Sequence, residues 1–305
     1  MADSGHALAG VRYSIRAGGY RAVISDVGAG LAGLSLAADG TDRPITLANP
    51  PDVLPPKSSG TVLMPWPNRI RDGRYRFDGV DYQLPLTEPA QLNASHGLVK
   101  WVRFSVAEQA EDSIRLTTDG VAQVGYPFEL HYEIRYTVSA DSGLAVHVRV
   151  ENAGPRAAPF GAGFHPYLEL GDSDLDHAEV KVPATSVIMV DDRSIPVQTV
   201  PVEGTPYDLS KLRPLGTLRL DHAFTDLTGD RVLVQSGRTR TEVWWDESFH
   251  VVQVFTPPEV LPGRPAIAVE PLTCPANAFN TGEHLLRLEP GEHWRGAWGI
   301  RAELR

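Results

Sequence analysis

Two residues of the sequence have local surroundings that suit proton transfer, His165 and Glu270. His165 follows a glycine-rich approach at residues 161–163, precedes Pro166 and has aromatic residues nearby. An imidazole desolvated in this way can titrate near neutral pH. Glu270 ends an apolar run and precedes Pro271, which cannot donate to a strand ladder. A carboxylate at the end of a buried strand is unusual, because an ionised Glu is rarely buried without a partner.

Each of these residues also has a purely structural interpretation. His165 could be a core histidine with one backbone hydrogen bond, and Glu270 could pair with an Arg at the end of its strand. The local sequence leaves both interpretations open.

Other polar residues are candidates for holding a ligand. Arg69 follows Trp66 and Asn68 in a proline-fixed segment, where its five donors could bind neighbouring hydroxyl groups of a ligand. It could equally be a surface Arg stacked on Trp66. His96 could be an exposed loop residue, and Asp221 could cap a turn.

The elements that position these residues are predicted to be strands. Apolar and polar residues alternate over residues 130–138 and 146–150, which is typical of half-buried strands. Asp78 and Gly79 separate two alternating segments and predict a hairpin whose turn has positive φ. Further strands are predicted at residues 21–25, 31–36, 99–106, 113–118, 186–190, 231–235, 241–245, 250–255, 267–270 and 294–301.

No amphipathic helix longer than about three turns is evident. So many strands without intervening helices exclude a parallel βαβ fold. The sequence therefore predicts an all-β protein, one large antiparallel β-sandwich that forms a single domain over residues 1–305.

The composition excludes several classes of partner and of structural site. The chain has 305 residues, 28 Lys plus Arg and 38 Asp plus Glu, a net charge of −10 and no basic cluster, so nucleic-acid binding is not expected. An uncharged small molecule fits this composition better as a partner than a nucleic acid does. The single Cys, Cys274, excludes an intramolecular disulfide and a multi-Cys zinc site, and it favours the reducing cytoplasm.

Targeting signals are not evident either. Residues 1–19 contain no apolar segment of a secretory signal, and no window approaches eighteen uninterrupted apolar residues. Neither export nor a membrane span is expected.

Five motifs, taken together, resemble those of the aldose 1-epimerase (galactose mutarotase) family in their order and spacing. They are Pro-Asn-Arg-Ile at 67–70, the segment from Asn to His-Gly at 93–97, Gly-Phe-His-Pro-Tyr at 163–167, Leu-Asp-His-Ala-Phe at 220–224 and Val-Glu-Pro at 269–271. Each motif is weak alone, but the set extends along nearly the whole chain.

The resemblance implies a β-supersandwich with the site in an open cleft on one sheet, and it implies a role for each matched residue. Glu270 corresponds to the general base and His165 to the general acid. His96 corresponds to a second histidine near the ring oxygen of the sugar, and Arg69 and Asp221 to ligands of its hydroxyl groups. Asn68, in the motif of Arg69, is counted with the sugar-binding residues. The implied substrate is a free monosaccharide, with no metal or other cofactor, and the chain would be a monomer or a homodimer.

Three alternatives remain open. A hexose-6-phosphate 1-epimerase of the same fold would need further cations, and Arg71 and Arg74 are near Arg69 in sequence. If both arginines point into the cleft, charged sugars are the expected substrates. If both point to solvent, neutral hexoses are expected, and the family resemblance favours neutral hexoses.

The second alternative is a sugar-binding or sensor protein that has kept the cleft without turnover. The third is a metal enzyme that uses His96, His165 and Glu270 as two histidines and one carboxylate.

Overall fold

The computed structural model describes residues 8–38, 40–171 and 173–304. Residues 1–7 lie outside this part of the chain, as do positions 39, 172 and 305. The prediction that residues 1–19 form no export signal therefore falls partly outside the described residues.

The described part of the chain consists mainly of strands, with very short helical segments. In chain order the strands are β1 (Arg12–Ala17), β2 (Tyr20–Ser25), β3 (Leu31–Ala38), β4 (Thr41–Pro44), β5 (Val62–Leu63), β6 (Arg69–Arg71), β7 (Arg74–Phe77), β8 (Val80–Gln83), β9 (Asn93–Ser95), β10 (Ser105–Gln109), β11 (Ser113–Gly120), β12 (Leu130–Ser139), β13 (Gly143–Asn152), β14 (Ala158–Phe160), β15 (Gly163–Phe164), β16 (Tyr167–Glu169), β17 (Glu179–Lys181), β18 (Ala184–Val190), β19 (Pro196–Pro201), β20 (Arg213–Pro214), β21 (Asp221–Leu227), β22 (Arg231–Ser236), β23 (Thr239–Trp245), β24 (Val251–Phe255), β25 (Ala266–Leu272), β26 (Leu286–Leu288) and β27 (His293–Leu304). The helical segments are 3₁₀ turns at Pro56–Ser58 and Pro89–Gln91 and one α-helical turn, α1 (Ala278–Thr281).

Two large antiparallel sheets dominate these described residues. One has the order β10-β11-β12-β13-β27-β23-β22-β17-β20. The other has the order β19-β18-β21-β24-β25-β15-β5, and β16 also pairs with β25. A smaller sheet, β1-β2-β3-β4, and the pairs β6-β9, β7-β8 and β14-β26 complete the arrangement.

The core lies between the two large sheets, because alternate residues of each strand face inward. Ile134 and Tyr136 of β12 are fully buried, and Phe164 of β15 packs against Trp298 of β27 with ring centroids 4.9 Å apart. Such aromatic pairs join the inner faces of the sheets. The all-β, antiparallel prediction is confirmed.

Most of the predicted strands are present, and one is wrong. The Asp78-Gly79 hairpin is confirmed: β7 pairs with β8, and the turn residues have φ of 49° and 80°. The strand predicted at 99–106 begins only at Ser105. Its first half is a turn in which the Val102 amide donates to the Val99 carbonyl at 2.9 Å. Val99 is buried in this turn, so its apolar character reflects core packing and not a strand ladder.

The helices of the described residues are all too short to cross a membrane, the longest being the four residues of α1.

Candidate active site

The strand β25 carries Glu270 on the face that looks away from the core. Ile267 and Val269 face the core between the sheets, while Ala268 and Glu270 point to the opposite face. Glu270 is only 3% exposed, so neighbouring elements cover this face. Period-two alternation thus fixes the direction of the carboxylate.

The next two strands of the sheet, β24 beside β25 and β21 beside β24, add polar groups to the same face. Gln253 of β24 lies opposite Glu270, and its amide donates to the Asp221 carboxylate of β21 at 2.7 Å. Asp221 is therefore a strand residue held by a hydrogen bond, and not the cap of a turn. Sequence reasoning missed Gln253, because only the sheet register places it beside the acidic residues.

His165 lies between β15 and β16, where the backbone is tied on both sides. Its amide donates to the Thr61 carbonyl at 3.2 Å, and its carbonyl accepts from the Gly60 amide at 2.8 Å. The ring stacks on Tyr167 at 4.9 Å between centroids. Its Nε2 lies 3.5 Å from Oε1 of Glu270, so the two predicted proton-transfer groups meet.

The opposite wall of the cleft is built by β6 and β9, which pair with Arg69 opposite Ser95. The His96 amide donates to the Asn68 carbonyl at 2.8 Å. Asn68 and His96 have φ of 52° and 62°, the left-handed region that most side chains avoid. Such strained backbone clusters at functional sites. The His96 ring lies 5.6 Å from that of His165, between centroids.

Arg69 is held by a carboxylate that sequence reasoning did not identify. Its Nε and Nη2 donate to the two oxygens of Glu88 at 2.7 and 3.0 Å. Burial by itself lowers the pKa of the Arg69 guanidinium, but the hydrogen bonds and charge of Glu88 raise it more. Trp66 is 2% exposed and packs against Phe279, so Arg69 is not a surface residue stacked on it.

These walls line a cavity of about 310 Å³. This volume is near the lower limit for pockets that bind small molecules. All six predicted site residues contribute to it. It is lined by Lys57, Ser58, Asn68, Arg69, Thr87, Glu88, Ser95, His96, Lys100, His165, Tyr167, Asp221, Gln253, Phe255 and Glu270.

Burial disfavours charge on both proton-transfer groups. It lowers the pKa of His165 to about 3, with the charges of Lys100 and Arg69 acting in the same direction. It raises the pKa of Glu270 well above 4.5, helped by Asp221 and opposed by Arg69. The expectation that His165 titrates near neutral pH by itself is therefore wrong, because its desolvation is nearly complete.

Among the described residues that line the cavity, three buried side-chain atoms have no hydrogen-bond partner. They are Nδ1 of His96, Nδ1 of His165 and Oε2 of Glu270. Burial also lowers the pKa of His96 well below 6.5, so this ring is neutral at pH 7. A neutral imidazole and a carboxyl group can each bind a hydroxyl group of a ligand.

The two arginines considered for a phosphate do not line the cavity. Arg71 pairs with Asp191 at 2.5 Å, and Arg74 donates to Gln83 at 2.8 Å. The additional cations that do line it, Lys57 and Lys100, were not considered from the sequence.

Metal ligation would need a different arrangement of donors. Within the described ranges, no three His, Cys, Asp or Glu side chains are grouped so that they could hold a metal ion. His96, His165 and Glu270 are therefore not grouped as the three ligands of a metal ion.

The model of the protein family described as "Aldose 1-epimerase" matches residues 11–301 of the sequence. The chain belongs to the aldose 1-epimerase family. The resemblance of the five motifs is thereby confirmed.

Relatives of this aldose 1-epimerase family member cover different shares of it. The uncharacterised protein YihR of Escherichia coli K12 is 34% identical over 289 residues, 94% of this chain and 91% of that protein. Rat galactose mutarotase is 33% identical over 167 residues, 52% of this chain and 46% of that protein. The solved structure of a GalM/aldose epimerase homologue from Caenorhabditis elegans has a TM-score of 0.86 at 19% identity and covers 96% of this chain and 99% of that one. This likeness shows that the fold is galactose mutarotase-like.

Proposed function

We propose that the protein is an aldose 1-epimerase that interconverts the α and β anomers of a free aldose by general acid–base catalysis. The observation that carries the proposal is the 3.5 Å approach of His165 Nε2 to Glu270 Oε1 inside a polar cavity of about 310 Å³. Membership of the family supports the same reaction class.

The reaction needs one base and one acid. Glu270 removes the proton from the C1 hydroxyl while His165 delivers a proton to the ring oxygen, which opens the ring. Rotation about the C1–C2 bond presents the other face of the aldehyde, and the two residues reverse roles to close the ring. Protons and charge balance without a redox step or a covalent intermediate.

The pair must hold one proton in total. Burial favours a neutral carboxyl and a neutral imidazole when the cavity contains no sugar. Hydrogen bonds from sugar hydroxyls to Glu270 favour its ionised form, and the proton then moves to His165 without a change of net charge. In this account the substrate itself produces the ionised base and the protonated acid.

The remaining polar groups orient the ring. Arg69 is fixed by Glu88, and Asp221 by Gln253, so both present rigid partners for hydroxyl groups. Asn68 and His96 supply further partners on the same wall. Preorganised groups of this kind contribute to positioning and not to proton transfer.

The proposal is tested with freshly dissolved single-anomer aldoses. Polarimetry or NMR saturation transfer should show faster equilibration of at least one of them when the protein is added. Disaccharides and aryl glycosides serve as controls and should remain intact, because the acid and the base flank C1 and the ring oxygen. Binding without anomer exchange would instead indicate a sugar-binding or sensor protein.

The other expectations remain predictions of the same proposal. We expect one domain, a cytoplasmic protein, a monomer or homodimer, and no binding to nucleic acid or membrane.

A further inference from the structure

The cleft wall that carries Arg69 and His96 is a small unit of the structure. β6 and β9 pair over only three residue positions and form a two-stranded sheet, separate from the two large sheets. A two-stranded pair has little stability by itself, so other elements must hold it. On the β6 side, the Asn277 amide donates to the Arg69 carbonyl at 2.6 Å, and the Asn277 side-chain oxygen accepts from the Arg71 amide at 3.1 Å. These contacts do not reach β9 or the loop before it.

The loop that precedes β9, residues 88–93, contains the partner of Arg69. We call it the Glu88 loop. Its two ends are joined by backbone hydrogen bonds, in which the Glu88 amide donates to the Asn93 carbonyl at 3.0 Å and the Asn93 amide donates to the Glu88 carbonyl at 3.2 Å. Both carboxylate oxygens of Glu88 accept hydrogen bonds from Arg69. The direction of the Arg69 guanidinium therefore depends on where this loop lies.

Arg193 ties the Glu88 loop to the end of β6. Its Nε donates to the Gln91 carbonyl at 2.8 Å, and its Nη2 donates to the Leu92 carbonyl at 3.0 Å. The same Nη2 donates to the Asp72 carboxylate at 2.8 Å. The Arg193 carbonyl in turn accepts from the Asn93 side-chain amide at 2.9 Å. Since Asp72 follows β6 and Leu92 precedes β9, Arg193 closes one end of the two-stranded pair.

The tip of the hairpin β18–β19, residues 191–195, holds Arg193 in place. One oxygen of the Asp191 carboxylate accepts from the amides of Arg193 and Ile195, both at 3.0 Å. The other oxygen accepts from the Arg71 guanidinium at 2.5 Å. Hydrogen bonds to an ionised carboxylate are among the stronger ones in proteins. The tip is therefore a fixed point from which the Arg193 side chain reaches the cleft wall.

We propose that Arg193 is a positioning residue of the active site: it fixes the Glu88 loop, and Glu88 in turn directs the Arg69 guanidinium toward the sugar. This rests on the proposed function, in which Arg69 binds hydroxyl groups. Arg193 does not itself line the cavity. Its effect is to order Glu88 and Arg69 before the sugar binds, which lowers the entropic cost of binding. Because this order serves the ground state and the transition state alike, KM responds and kcat does not.

The test compares the wild type with Arg193→Met, which keeps the length of the side chain and removes its donors. The KM of the preferred aldose should rise about 3- to 10-fold, the cost of ordering one long side chain, while kcat and the acid limb of the pH profile stay near their wild-type values. Arg193→Lys keeps the charge but loses the planar fork, so its rise in KM should be smaller. An unchanged KM in Arg193→Met, or a loss that falls mainly on kcat, would overturn the inference.

A double-mutant cycle with Arg69→Ala shows whether Arg193 acts through Arg69. In the Arg69→Ala background the Glu88 loop has no guanidinium to direct, so adding Arg193→Met should leave KM nearly unchanged. Increases in KM that multiply in the double variant would mean that Arg193 acts by another route, and the inference would be wrong.

Arg213 provides a matched control, because it also donates to two backbone carbonyls of a loop, those of Pro206 and Asp208. None of these three residues lines the cavity. Arg213→Met should leave KM unchanged, and urea unfolding measures the loss of stability in both variants. An equal rise in KM in Arg213→Met would assign the effect to a general loosening of the fold and reject the role of Arg193.

Two further results are provided for. Should Arg193→Met fail to fold, Arg193→Lys decides: a raised KM with a normal kcat supports the inference, and an unchanged KM rejects it. If no sugar shows anomer exchange, the epimerase is rejected, and calorimetric titration measures Kd in the same variants. A Kd that rises in Arg193→Met, but not when Arg69→Ala is already present, would still support the role of Arg193. An unchanged Kd, or no binding of any sugar, would reject it.

Discussion

The pairing of Glu270 with His165 is the residue-scale feature on which the proposed chemistry depends. Neither group has a counter-ion of its own within the described residues, and burial opposes charge on both. One proton shared across 3.5 Å gives a pair with no net charge, which a buried site tolerates. One member of the pair can then act as the acid and the other as the base, and the two can exchange these roles between ring opening and ring closure.

The first prediction concerns the pH dependence of kcat/KM. A second proton binds to the pair only below the lowered pKa of His165, about 3, and then no base remains. The last proton leaves only above the raised pKa of Glu270, well above 4.5, and then no acid remains. Initial-rate measurements should therefore show an acid limb near pH 3 and a wide plateau, with limits that belong to the coupled pair. An acid limb near 6.5, the ordinary value for His, would contradict this assignment.

The second prediction separates binding from proton transfer. Arg69→Ala should raise KM much more than it lowers kcat, because its hydroxyl contacts exist in the ground state and in the transition state. Glu88→Gln should shift KM in the same direction but less, since Arg69 loses its charged partner and keeps its donors. Steady-state kinetics on the preferred sugar provide the measurement. A loss confined to kcat in Arg69→Ala would mean that this residue takes part in the chemistry.

At the scale of elements, two backbone features place the side chains of the site: the alternating side-chain direction along a strand, and residues with positive φ beside a strand. The alternation of β25 directs Glu270 away from the core, and the segment that links β9 to the following turn holds His96 at positive φ. The adjacent Gly97 is required by space as well as by backbone angle. A Cβ atom at Gly97 would lie 2.0 Å from the Met64 carbonyl oxygen.

The third prediction uses a matched pair of glycines. Gly97→Ala should destabilise the fold more than Gly79→Ala, because both have positive φ but only Gly97 lacks room for a Cβ atom. The backbone penalty is about 1–2 kcal/mol for each, and overpacking adds about 1–3 kcal/mol at Gly97. Urea unfolding measures the stabilities, and anomer exchange should fall only in Gly97→Ala. Equal destabilisation would show that the loop adapts.

The sequence predicted the strands of the large sheets and the residues of the five motifs, since both depend on local patterns. It did not identify Gln253, Glu88 or Lys100. Gln253 meets the acidic residues only through the register of β24 with β25. Glu88 is nineteen residues from its partner Arg69, and Lys100 lies in a segment that was predicted to be a strand but forms a turn. These contacts arise from tertiary folding, which local patterns do not contain.

At the scale of the whole molecule, the two large sheets act as a rigid support. The cleft face of one sheet carries Glu270, Gln253 and Asp221 on three adjacent strands, and its other face is fixed by the core. Sites built on strands hold their geometry more tightly than sites on loops alone. No part of the proposed reaction requires a metal ion.

The fourth prediction follows from this. Anomer exchange by the purified protein should survive treatment with EDTA and dialysis, because the proton transfers need only the two side chains. Rates before and after treatment, with a divalent ion added back as a control, provide the test. Loss of activity on chelation, with recovery on addition of the ion, would favour a metal enzyme.

The most direct test of the central claim is the rate of anomer exchange in the wild type, Glu270→Gln and His165→Asn, measured by NMR saturation transfer on the preferred aldose. The account predicts that each substitution lowers kcat by about 10²- to 10⁴-fold, the usual contribution of a general acid or base, while calorimetry shows that the sugar still binds. The amide in Glu270→Gln keeps the shape of the carboxyl group but cannot accept the proton. A near-normal rate in Glu270→Gln would contradict the account.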